Sequence, residues 1–71
     1  MREGQLHVTK RQRQVLDLAA DGRTDKEIAS ILGLSVSTVR SHLQRFYRTN
    51  GLRNKVEAVG AYLSRQSSEP E

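Results

Sequence analysis

One helix-sized stretch of the chain is rich in hydrogen-bonding side chains and contains no acidic residue. Residues 32–48 read LGLSVSTVRSHLQRFYR and hold three arginines, together with serine, threonine, histidine and glutamine. A guanidinium group donates two parallel hydrogen bonds to a planar acceptor, and an amide group both donates and accepts. The chemistry that this stretch offers is therefore recognition of an electron-rich or anionic partner.

The positive charge of the chain is concentrated in the same region. The 71 residues carry a net charge of +4. Residues 35–55 contain five basic side chains and no acidic one, which gives +5, so the other residues sum to −1. A basic block of this kind is typical of a surface that binds a polyanion. A solvated helix face is the alternative, and charge alone does not decide between them.

Helical spacing divides this stretch into two faces. The residues expected to face the core are Val36, Val39, Leu43 and Phe46. The polar face comprises Ser37, Arg40, Ser41, Gln44 and Arg48, with Thr38, His42 and Arg45 on its flank. Arginine matches the acceptors of guanine in the major groove, and glutamine matches adenine. The pattern predicts a recognition helix over about 36–49 that reads double-stranded DNA.

Composition argues against several other classes of protein. There is no cysteine, and the two histidines are far apart, so no metal or cofactor is expected. The apolar runs are too short for a membrane span or a signal peptide, which predicts a cytoplasmic, nucleoid-associated protein without membrane contact. No nucleophile–base pair, phosphate loop or small-molecule site is evident, so we do not expect an enzyme.

Capping and stop signals predict an all-α, four-helix fold. Helix starts are expected after Thr9, Thr24, Ser35 and Asn54, the first two with capping boxes completed by Gln12 and Glu27. Stop signals are Asp21-Gly22, Gly33 and Asn50-Gly51, and the fourth helix is expected to end near Leu63 or Arg65. We expect residues 1–7 to be flexible, residues 8–65 to form the domain, and residues 66–71 to be a disordered acidic tail.

The second and third helices have the features of a helix-turn-helix. Ala29 is small enough for a close helix crossing, and Gly33 can adopt a positive φ in the turn. Thr24 and Lys26 at the start of the second helix, and Ser35 at the start of the third, are placed to contact phosphates. The alternative for Thr24 and Ser35 is that each only caps its own helix.

Two stretches, VTKRQRQVLDLAADGRTDKEIASILGLSVSTVRSHL and GLRNKVEAV, resemble the LuxR-type (GerE/NarL-like) helix-turn-helix regulators. The resemblance implies base contacts by Arg40, Ser41 and Gln44 and a dimerising fourth helix. The predicted backbone contacts are Thr24, Lys26, Ser35, Ser37, Thr38, His42, Arg45 and Arg48. The chain departs from the family at Gln12 and Gln14, where glutamates are usual, and at Asn50, where a leucine is usual.

The fourth helix supports dimerisation by its own pattern. Ala58, Val59 and Tyr62 can face the core, and a second apolar stripe of Val56, Gly60 and Leu63 adjoins them. An apolar surface this wide indicates burial on two sides. The alternative is a single broad contact with the core of a small protein.

These observations predict a transcriptional regulator that binds an inverted-repeat DNA site as a homodimer, with RNA polymerase as a further candidate partner. One alternative is a module like region 4 of RNA-polymerase sigma factors, which the stretch GLRNKVEAV argues against. A second is a protein-binding adaptor that uses the helix-turn-helix scaffold without touching DNA.

Overall fold

Four helices make up the domain in the computed structural model, which describes residues 6–68, the side chains of residues 65–68 excepted. They are α1 (Lys10–Ala20), α2 (Asp25–Leu32), α3 (Val36–Asn50) and α4 (Lys55–Ser68). All regular secondary structure in this range is helical, which confirms the predicted all-α fold. None of these helices combines the length and apolarity needed to cross a membrane.

The predicted capping residues begin the helices. The Thr9 hydroxyl accepts from Gln12 N at 3.1 Å and the Gln12 amide accepts from Thr9 N at 3.0 Å. The Thr24–Glu27 pair makes the same two bonds at 3.1 and 2.9 Å. Each box satisfies two backbone N–H groups that have no partner within the helix. Gln12 is also buried, so a neutral side chain suits the position that a glutamate usually fills in the family.

Glycines in the left-handed region end α2 and α3, as predicted. Gly33 has φ 71° and Gly51 has φ 68°. Residues with a Cβ atom rarely adopt such a positive φ. After Gly33, Leu34 N donates to Ala29 O at 2.8 Å; after Gly51, Leu52 N donates to Tyr47 O at 2.8 Å. This pattern is the Schellman motif, which ends a helix and satisfies carbonyl groups of its last turn.

The core lies between all four helices. Ala29 in α2 is buried, and α2 packs against α3. The buried apolar residues are Val15, Leu16, Ala19, Ile28, Ala29, Val39, Leu43, Phe46, Ala58 and Tyr62. Leu32 and Leu34, on either side of the turn, pack against this core as predicted. The Tyr62 hydroxyl donates to Asp17 Oδ1 at 2.6 Å, which ties α4 to α1.

Residues on both sides of the expected domain, residues 8–65, make contacts or continue a helix. The sequence predicts a flexible segment through residue 7, yet Leu6 packs against the core and His7 is hydrogen-bonded to α3. The end predicted for α4 was wrong, because the helix continues to Ser68. Residues 66–68 contain no glycine or proline and tolerate helix; Pro70 is the first helix-breaking residue that follows. The remainder of the two predicted terminal segments lies outside the described residues.

Hydrogen bonds to neighbouring backbone groups accommodate the polar side chain of Asn50 at the end of α3. Its side-chain amide donates to Phe46 O at 2.9 Å and to His7 O at 3.0 Å. Its Oδ1 accepts from His7 N at 2.8 Å. Asn50 is thus the last residue of α3, as the stop signal predicts. Its side chain also fixes the segment that leads into α1, which the sequence did not indicate.

Candidate nucleic-acid interface

The two faces of α3 lie as the helical spacing predicts. Val39, Leu43 and Phe46 are at most 3% exposed and hold the helix to the core. Arg40, Ser41 and Gln44 are all exposed. The helix is thus fixed on one side, while its polar side is open to a partner.

The other polar residues predicted on α3 fall into two groups. Ser37, Arg45 and Arg48 are exposed and extend the open face along the helix. Thr38 and His42 are half-buried at its edge. The Thr38 hydroxyl receives a hydrogen bond from the Ser35 hydroxyl at 2.9 Å, whereas the imidazole of His42 has no hydrogen bond to another described residue.

The capping hydroxyl groups of α2 and α3 differ in whether they can still donate a hydrogen bond to a partner. Thr24 Oγ1 accepts from Glu27 N and keeps its hydroxyl proton available for a partner. Ser35 Oγ accepts from Thr38 N at 3.1 Å and donates to the Thr38 hydroxyl, so both of its functions are used within the helix. Lys26 is exposed, but the carboxylates of Asp25 and Glu27 lie in the same turn. A phosphate is therefore accommodated better by Lys26 and Thr24 than by the Ser35 side chain.

Arg40 is ion-paired, which the sequence did not indicate. Its Nε donates to Asp25 Oδ2 at 3.3 Å, and the Lys55 ammonium donates to Asp25 Oδ1 at 3.0 Å. These three residues, which we call the Asp25 cluster, come from α3, α2 and α4. The separations of 15 and 30 residues have no periodic signal that sequence analysis could detect.

Lys55 and Arg40 favour the ionised form of the Asp25 carboxylate. Partial burial raises the pKa of Asp25, but hydrogen bonds and charge from Lys55 and Arg40 outweigh burial, and the net pKa is lowered below 3.8. Burial, and then the negative charge of Asp25, raise the pKa of Tyr47 above its usual 10.0. Asp25 is therefore ionised, and Tyr47 is protonated, at neutral pH.

A shallow cavity connects this cluster to the polar face. It has a volume of about 200 Å³ and is lined by Asp25, Arg40, Leu43, Gln44, Tyr47 and Lys55. The two residues predicted to read bases, Arg40 and Gln44, thus share a concave surface with Lys55. Among the described residues, no group of three or more His, Asp or Glu side chains is arranged to hold a metal ion.

The second stripe of α4 lies at the surface. Val56 is 82% exposed and Leu63 is 43% exposed, and Gly60 between them is exposed as well. Ala58 and Tyr62 on the adjoining stripe are buried, as predicted. A second groove of about 300 Å³, lined by Ala19, Lys55, Val56 and Val59, borders the stripe.

Comparison with known proteins supports the predicted resemblance. Residues 7–61 match the family described as bacterial regulatory proteins, luxR family. The spore germination protein GerE of Bacillus subtilis is 40% identical over 52 residues, which cover 73% of this chain and 70% of that protein.

Two longer regulators match over 52 residues as well. The putative HTH-type transcriptional regulator YhjB of Escherichia coli is 37% identical, and the transcriptional regulatory protein DesR of Bacillus subtilis is 36% identical. Each match covers 73% of this chain and 26% of the relative, so the chain spans about a quarter of their length. With the helix-turn-helix and its open polar face, these matches establish that the chain belongs to the LuxR family of DNA-binding regulatory proteins.

Proposed function

We propose that this chain binds double-stranded DNA sequence-specifically, as a transcriptional regulator, with α3 in the major groove. The observation that carries the proposal is the division of α3 into a buried face and an exposed polar face. In this arrangement Arg40, Ser41 and Gln44 contact base edges. Arginine and glutamine can each make paired hydrogen bonds there, and serine can bond to several bases.

The remaining predicted contacts go to the DNA backbone. Arg45, Arg48 and Ser37 lie on the exposed side of α3 and add charge or hydroxyl donors beside the base-reading residues. Lys26 and Thr24 contribute from α2. Thr38 and His42 sit at the edge of the face, and Ser35 contributes through the N-terminus of α3. Such contacts position a protein on DNA without reading its sequence.

We further propose that two copies bind an inverted-repeat site through α4. The exposed stripe of Val56, Gly60 and Leu63 supports this, since a folded monomer leaves Val56 and Leu63 in water. A two-fold dimer would place its two α3 helices in successive major grooves, about 34 Å apart. In this role the protein would be located on the chromosome, and RNA polymerase would be a further candidate partner. The proposed role involves no catalytic step.

Selection of bound sites from a random double-stranded DNA pool tests the proposal. The selection is done at near-physiological salt, because non-specific binding dominates at low salt. A symmetric motif with half-sites about one helical turn apart supports the dimeric regulator. A single asymmetric half-site overturns the dimer, and no enrichment overturns DNA recognition in favour of the protein-binding adaptor.

The double variant Arg40→Ala/Gln44→Ala tests whether these two side chains make the base contacts. Both side chains are exposed, so we expect the variant to remain folded, which circular dichroism would verify. It should lose the enriched motif while retaining weak, salt-sensitive binding to any DNA. If it selects the same motif as the original chain, the base contacts lie elsewhere.

A further inference from the structure

We propose that Asp25 is a positioning residue that determines DNA sequence specificity through Arg40. Its carboxylate holds the guanidinium that reads a base and is itself held by Lys55 from the fourth helix. The proposal rests on the proposed function, since it concerns how one base-reading side chain is prepared for its contact.

The geometry of the ion pair leaves the useful part of Arg40 available. The bond to Asp25 involves Nε, and the two terminal nitrogens make no hydrogen bond to any other described residue. Those nitrogens form a pair of parallel donors, which is the arrangement that matches O6 and N7 of guanine. The Arg40 side chain is 66% exposed, so a base edge can approach it while Nε stays bonded. Asp25 thereby reduces the number of conformations that Arg40 must give up on binding.

Asp25 is well fixed for this task. Asp25 is the first residue of α2, directly after the Thr24 cap, and its side chain is only 22% exposed. Lys55 holds one carboxylate oxygen, which leaves the other directed to Arg40. Three helices therefore converge on one carboxylate, and the position of Arg40 is tied to α2 and α4 as well as to its own helix.

The same carboxylate should weaken binding to DNA of arbitrary sequence. Asp25 is a negative charge beside a basic face, and it would lie close to phosphates. Removal of this charge should therefore increase non-specific affinity while decreasing discrimination between bases. These opposite effects separate a positioning role from a simple change of net charge.

The test compares Asp25→Asn with Asp21→Asn. Both substitutions raise the net charge by one, and Asp21 is an exposed residue whose ion pair, at 3.7 Å, is with Arg23 and not with Arg40. Affinity is measured for the selected site, for that site with the Arg40-contacted base changed, and for DNA of unrelated sequence. Both variants should bind unrelated DNA more tightly. Only Asp25→Asn should lose discrimination at the changed base, by roughly three- to tenfold, which is part of the value of a bidentate contact.

Two further variants distinguish positioning from misfolding. In the Arg40→Ala background, Asp25→Asn should no longer alter discrimination, because the two residues act as one unit. Lys55→Gln, which retains Asp25 and Arg40, should lose discrimination in the same direction by a smaller factor. Circular dichroism and urea unfolding show which variants remain folded.

The outcomes separate the two proposals. If the original chain shows no sequence preference, the proposed function itself is wrong. If the original chain discriminates, and Asp25→Asn behaves as Asp21→Asn does, only the role of Asp25 is overturned. The role of Asp25 is also overturned if Asp25→Asn still reduces discrimination between bases when Arg40 has already been replaced by alanine.

Discussion

At the scale of single residues, the central feature is that Arg40 combines exposure with restraint. An exposed arginine normally samples many rotamers, and its ordering opposes binding. Here Asp25 bonds to Nε and leaves the terminal nitrogens open. Because the counter-ion belongs to the protein, part of this ordering is complete before any partner arrives.

Replacement of Arg40 by alanine tests its proposed base contact. We expect a loss of about 1–3 kcal/mol at the selected site and a relaxed preference at one base position. Arg53→Ala is the charge-matched control, since Arg53 is exposed in the link between α3 and α4 and lies outside the proposed face. Binding is measured by titration against the selected site and single-base variants. An equal loss for every sequence would make Arg40 a phosphate contact.

The pH dependence of stability tests the Asp25 cluster. The pKa of Asp25 is lowered on folding, so the cluster stabilises the fold above the unfolded pKa near 3.8. This contribution is lost as pH falls through the lower pKa of the folded state. We expect Asp25→Asn to lower the free energy of unfolding by up to about 1 kcal/mol at neutral pH, since the pair is partly solvated.

Urea unfolding at several pH values measures this difference. Between about pH 7 and 5 it should stay constant, and it should shrink only below about pH 4. Lys55, Arg40 and Tyr47 are the groups that act on Asp25 or respond to its charge. The pKa of Tyr47 is raised above 10.0, so this side chain keeps its proton across the whole range. A difference that grows on acidification would contradict the lowered pKa.

At the scale of elements, the short α2 depends on its ends. It has eight residues, which is too few for a stable isolated helix in water. The Thr24–Glu27 box begins it, the Gly33 turn ends it, and Ile28 and Ala29 bury it against the core. The crossing of α2 and α3, and hence the presentation of the polar face, depends on that turn.

Two glycine substitutions separate backbone strain from packing. Neither Gly33 nor Gly60 has atoms within 4 Å of an added Cβ, so steric contact contributes nothing at either site. Gly33→Ala should destabilise the fold by roughly 1–2 kcal/mol because its φ is 71°. Gly60→Ala should stabilise it by roughly 0.5–1 kcal/mol because Gly60 is inside a helix. Urea unfolding at low protein concentration measures both, and equal effects would rule out φ as the cause.

At the scale of the whole molecule, two exposed surfaces of the described residues differ in their chemistry. One is the polar face of α3, and the other is the apolar stripe of α4 that Val56 and Leu63 define. The division suits a protein that contacts DNA with one surface and a second copy with the other. Lys55 lies at the start of α4, beside the apolar groove, and also belongs to the Asp25 cluster.

Leu63→Asp tests assembly through that stripe. Leu63 is 43% exposed, so a charge there should leave the monomer folded but disrupt an apolar interface. We expect sedimentation to show a monomer and DNA titration to show loss of two-site binding. Ser64→Asp, which adds the same charge at an exposed neighbouring position, should leave assembly intact. An unaltered dimer in the Leu63 variant would place the interface elsewhere.

The sequence by itself determined the helix starts, most helix ends and the two faces of α3. These features depend on residues three or four apart, such as the Thr24–Glu27 box and the spacing of Val39, Leu43 and Phe46. Local hydrogen bonding and helical periodicity suffice to specify them. The end of α4 was missed because residues 65–68 contain no apolar residue to continue the helical periodicity, although Arg65 and Gln66 are good helix formers.

Only the tertiary structure decided which distant side chains meet. Arg40 and Lys55 reach Asp25 across 15 and 30 residues, and Asn50 reaches His7 across 43. Such contacts depend on the angles at which helices cross and on the depth at which each packs, and no local pattern encodes these quantities. The exposure of the polar side chains was therefore readable from the sequence, while the carboxylate that holds Arg40 became evident only in the folded domain.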